Sequence, residues 1–104
     1  MTEVTDSNFE AEVLKSEMPV VVFFHTPSVS PCRMIEPIVS EIEDSCRGSV
    51  KFVKLEIEEN YKVSSRYGVR SVPTLIKFEK GEKKQQTRKE IGGSKSNIIS
   101  DLRL

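Results

Sequence analysis

The octapeptide His25-Thr26-Pro27-Ser28-Val29-Ser30-Pro31-Cys32, HTPSVSPC, joins two segments of opposite pattern. Before it lies Val20-Val21-Val22-Phe23-Phe24, a β-branched and aromatic run without polar alternation, which reads as a strand buried on both faces. After it, Met34, Ile35, Ile38, Val39 and Ile42 recur at helical spacing and predict a helix from about Pro31 to Cys46. Pro31 suits the first turn of that helix, where no backbone N–H is needed. Pro37 falls inside it and is expected to kink it. Gly48 lies just past its end. A thiol at such a strand-to-helix turn is activated by the helix N-terminus. Here the turn holds one cysteine, and the position three before it is Val29.

Outward from this junction the pattern alternates. Asp6-Ser7-Asn8 is expected to cap a first helix carrying Phe9 and Val13 on one face, ended by Pro19. Val50 to Ile57 reads as a second strand, and Asn60 as the cap of a short helix ending near Tyr67-Gly68. Thr74-Leu75-Ile76-Lys77-Phe78 is a strand followed by a Lys80-Gly81 turn, with a hairpin partner expected near Gln86 to Ile91. Gly92-Gly93 breaks it, and Ser94 or Ser96 caps a last helix through Ile98, Ile99 and Leu102. The order α-β-α-β-α-β-β-α implies an α/β fold: a mixed central sheet with helices on both faces.

The bulk numbers narrow the classes. A chain of 104 residues suggests a single domain, 1–104. Sixteen basic and sixteen acidic residues cancel, leaving no electrostatic footprint for nucleic acid or an anionic membrane. The lysines and arginines from Lys77 to Lys89 are broken by Glu79 and Glu82 and lack interleaved aromatics, so they read as a solvated hairpin face. No apolar run approaches the roughly 20 residues of a membrane span. The acidic N-terminus has no signal core, so a cytoplasmic location is expected. With two cysteines and one histidine, neither a disulfide framework nor a four-ligand zinc site is supported. No metal or organic cofactor is implied.

Three blocks together resemble the thioredoxin family. Val22-Phe23-Phe24 through Ser30-Pro31-Cys32-Arg33-Met34-Ile35-Glu36-Pro37 is similar to the family's strand, WCGPC and K-M-x-x-P. Tyr67-Gly68-Val69-Arg70-Ser71-Val72-Pro73-Thr74-Leu75 is similar to its Y-G-[IV]-R-x-[IV]-P-T-L, and Phe78-Glu79-Lys80-Gly81-Glu82 with Ile91-Gly92 to its closing hairpin. The segment between Gly81 and Gly92 looks a few residues long, as a hairpin tip tolerates. The resemblance implies the thioredoxin fold from about Val20 onward. It also implies a cis bond at Val72-Pro73 and a groove for an extended protein segment bordered by Ser28, Val29, Ser30, Pro31, Val72, Pro73 and Gly92.

The departures lie in the chemistry. Val29 stands where the family has its attacking cysteine, Ser30 where it has glycine, Ser28 and His25 where it has tryptophans, and Phe23 where it has a buried acid. Disulfide exchange needs an attacking thiolate and a second, resolving thiol. Cys32 matches the resolving position alone. Cys46 lies 14 positions along the same predicted helix, about 21 Å away at the α-helical rise, whereas a disulfide requires Cα atoms within roughly 7 Å. An intramolecular bridge is excluded. Phe23 agrees with Val29: with no mixed disulfide to resolve, a buried acid would carry only a desolvation cost.

Two functions follow from these residues. The first is a thioredoxin-like protein that lacks the two-cysteine site and binds a protein or peptide segment at the retained groove. The second is a thiol-disulfide oxidoreductase in cell redox homeostasis. It would work as a monothiol through Cys32, with glutathione or a protein thiol as partner, or as a dithiol protein altered at Val29. His25 reads as a polar turn residue, since no clustered ligands accompany it.

Overall fold

The computed structural model describes residues 1–87 and 95–104. Its elements in chain order are strand β1 (Thr2–Glu3), a π-helical turn (Glu10–Leu14), β2 (Val20–His25), α1 (Ser30–Ser45), β3 (Lys51–Glu56), α2 (Tyr61–Arg66), β4 (Thr74–Glu79), β5 (Glu82–Thr87) and α3 (Lys95–Leu102). The five strands form one sheet in the order β1-β3-β2-β4-β5. β2 runs parallel to β3 and antiparallel to β4, and β5 is antiparallel to β4.

The central place of β2 explains its composition. Strand side chains alternate between faces, and both faces are covered. Val20, Val22 and Phe24 join Phe9, Val13, Leu55, Ile76 and Phe78 on one side. Val21 and Phe23 join Cys32, Ile35, Val39, Ile42, Leu75, Ile98 and Leu102 on the other, beneath α1 and α3. Each residue of β2 is buried. α1 is continuous, with Pro37 inside it.

Four expectations need correction. The first helix is a single π-helical turn, marked by Lys15 N–H donating to the Glu10 carbonyl at 2.9 Å. Asp6 does not cap it: the Asp6 carboxylate accepts from the Lys62 and Val63 N–H groups at 3.1 and 2.9 Å, capping α2 from 56 positions away. Asn60 holds the N-cap position of α2 without a side-chain cap bond, and its amide oxygen instead accepts from Asp6 N–H at 3.0 Å. The hairpin strand begins at Glu82, earlier than expected, because Lys80 and Gly81 have φ of 51° and 82° and make a two-residue turn between paired Glu79 and Glu82. A bulge lies at Lys84, since Phe78 pairs with Lys83 and Lys77 with Gln85. A Cβ on Gly81 would lie 3.2 Å from the Leu14 carbonyl, so both backbone shape and space favour glycine there. Strand residues expected after Thr87, and the cap at Ser94, lie outside the described residues.

Candidate functional site

β2 delivers its C-terminal end into the HTPSVSPC turn, and β4 begins antiparallel beside it, with Phe24 paired to Thr74. The sheet therefore sets the turn before α1 next to the turn before β4. In the second turn the Val72–Pro73 peptide bond is cis. The Thr74 hydroxyl donates to the Ser71 carbonyl at 2.8 Å and pins that loop. Pro73 is buried and Val72 half-buried. Val29 and Val72 both pack against the apolar cluster that contains Cys32. These three predicted residues thus share one cluster. Ser28, Ser30 and Pro31 lie exposed beside it. Gly92, the remaining predicted border of the groove, lies outside the described residues.

Val29 occupies the N-cap of α1 with extended backbone, φ −88° and ψ 116°, and the end has no side-chain cap. Its own N–H donates to the Thr26 carbonyl at 3.0 Å, and its carbonyl accepts from Cys32 and Arg33 N–H at 3.0 and 3.3 Å. The Arg33 guanidinium donates to the Pro27 carbonyl at 2.9 Å. These bonds tie the turn to the first turn of α1 on both sides.

Cys32 is only 1% exposed. Burial pushes its thiol pKa above the ordinary value; a hydrogen bond with the Thr26 backbone and the charge of Arg33 oppose this without offsetting it. A shielded, protonated thiol is a poor nucleophile. Cys46, at the other end of α1, is half-buried, and both cysteines are free.

Phe23 and His25 point to the same side of β2, their rings stacked with centroids 5.3 Å apart. Phe23 is the register partner of Lys54 on β3. With no acid at position 23, the Lys54 ammonium reaches Glu36 on α1 at 3.2 Å. Sequence reading missed this pair. The signal was present in parity: Lys54 shares its strand face with buried Phe52, and Glu36 lies one helical turn beyond Cys32, toward the covered side of α1. Burial lowers the His25 pKa and the Lys54 charge adds to it, against the opposing pull of Glu36, Glu3 and Glu56. Among the described residues, no group of three or more His, Cys, Asp or Glu is placed to hold a metal ion. No helix there is long and apolar enough to cross a membrane.

A central strand feeding a loop-to-helix turn, faced by a cis-proline turn from an antiparallel neighbour, defines an α/β protein of the thiol-exchange architecture. The thioredoxin family model matches residues 1–103, and the chain belongs to the thioredoxin family. It is similar to the thioredoxin of Rickettsia felis, 43% identical over 98 residues that cover 94% of this chain and 90% of the relative. It is also similar to the thioredoxin of Rickettsia bellii, 48% identical over 80% of this chain and 79% of the relative. Thioredoxin 1 of Nostoc sp. is 49% identical over 78% and 76% of the two chains.

Proposed function

We propose that this member of the thioredoxin family lacks disulfide reductase turnover and works by binding an extended protein segment in the groove between Ser28–Pro31 and Val72–Pro73. One observation carries the reading. The helix end where an attacking thiolate would form holds Val29, and the remaining thiol of the turn, Cys32, is buried with its pKa pushed up. The site has thus kept its walls and lost its nucleophile. Phe23 supports the same conclusion, since an apolar ring stands where an acid would move the proton. Val29 also makes the turn more apolar, which favours a hydrophobic segment.

The test has two arms. Dithiothreitol-driven reduction of insulin should proceed at the uncatalysed rate in the presence of the protein. Carboxymethylated insulin B chain, an unfolded chain without thiols, should shift the amide resonances of Ser28 to Cys32 and of Val72 and Thr74 together. Catalysed reduction would overturn the first half of the reading, and shifts elsewhere on the surface or none at all the second.

A further inference from the structure

His25, the last residue of β2, is the chain's one histidine. It is 6% exposed, its ring lies on Phe23 with 19° between the planes, and its Nε2 is buried without a hydrogen-bond partner among the described residues. A neutral ring tolerates this with Nε2 as a bare acceptor. An imidazolium carries N–H at both nitrogens, and Nε2 would become a buried charged donor with nothing to receive it.

The neighbouring charges do not rescue that state. From β3, Lys54 repels it, and Glu56 has its carboxylate engaged by the Glu58 and Glu59 N–H groups at 2.7 and 2.9 Å. From α1, Glu36 is held by Lys54, and Cys32 is neutral. From β1, Glu3 sits exposed at the sheet edge. Next in the chain comes Thr26, which ties the turn together: its backbone hydrogen-bonds the Cys32 thiol, and its carbonyl accepts from Val29 N–H.

We propose that His25 is a proton-operated latch: taking up a proton at Nε2 drives its ring off Phe23, displaces Thr26 and uncovers the Cys32 thiol. The device goes beyond segment binding and does not require a docked partner. The closed form binds the proton less well than the open form, so acid favours opening. With one proton coupled, the open fraction grows about tenfold per pH unit below a pH of about 6.5. The closed turn at neutral pH and the open turn in acid present different surfaces from the same residues.

The test uses the Cys46→Ser protein, so that Cys32 alone reports. Its reaction with 4,4′-dithiodipyridine, which labels thiols in mildly acidic solution, is measured relative to the urea-unfolded protein at each pH. The relative rate should rise about tenfold between pH 7.5 and 5.5 and stay flat when His25→Phe is added. The ring resonances of the sole histidine, followed by NMR, should titrate at the lower pH where that rise levels off. A flat rate in the Cys46→Ser protein overturns the latch. So does an equal rise in the His25→Phe variant, which would assign the effect to another group. Should His25→Phe not fold, His25→Gln takes its place, and a ring that titrates at a pH other than the one where the rate levels off overturns the latch on its own.

Discussion

The N-termini of α1 and α2 are built in opposite ways. α2 donates two backbone hydrogen bonds to the Asp6 carboxylate, which comes from a distant part of the sequence. α1, twice as long and more, begins at Val29 with no side-chain cap. α2 is only six residues, too short to hold without help, so its first turn is fixed by a distant acid. α1 is held by its buried face of Cys32, Ile35, Val39 and Ile42, and its end is left open. The difference teaches that the two ends are held in different ways: α2 is capped from a distance, and α1 relies on its buried face with its Val29 end left bare.

The comparison is broken most strongly by Val29→Cys. A thiol at that bare end meets the helix dipole and the free N–H, which lower its pKa, and Cys32 stands ready three positions on. Insulin reduction should rise at least about 100-fold over the uncatalysed rate, if an attacker is all that the turn lacks. A rise of only a few-fold would show that Phe23 and His25 also limit the chemistry. Asp6→Ala is next: losing the remote cap should cost about 1 to 2 kcal/mol, read as a lower urea midpoint at constant slope. A loss within error would show that α2 does not depend on it.

Cys32→Ala should cost about 1 kcal/mol through the packing lost beneath α1. It should also remove one pH effect. Because the folded thiol pKa is raised, the Cys32 contribution is fully present below its ordinary value and is lost as pH rises through the folded one. Wild type should therefore lose stability more steeply than Cys32→Ala in alkaline solution. The smallest effect sharpens the comparison: Val29→Thr offers α1 the hydroxyl cap it lacks and should raise stability by about 0.5 kcal/mol.

Much of the architecture was legible because its signals are local. The uninterrupted run Val20–Phe24 announced a strand covered on both faces, and the helical spacing of Ile35, Val39 and Ile42 announced the face of α1. That α1 begins without a thiol at its N-cap was legible from Val29 alone. What escaped reading depends on pairings distant in sequence. Asp6 reads as a cap for the helix that follows it, and nothing near it names α2. β1 is two residues long and exists because Thr2 and Glu3 meet Val53 and Lys54. The Lys54–Glu36 pair depends on the register that sets Lys54 beside Phe23. The early start of β5 depends on two positive φ values, one of them at a lysine.

The bulge at Lys84 has a meaning for the molecule among its own copies. β5 ends the sheet on one side, and an edge of unpaired N–H and C=O groups is a template for another strand. This edge presents Glu82, Lys83 and Lys84 to solvent, and the bulge breaks the even rise that a second strand would need to follow. At the other edge β1 offers two residues. Among the described residues, both margins of the sheet are thereby poor templates for a strand from a second copy.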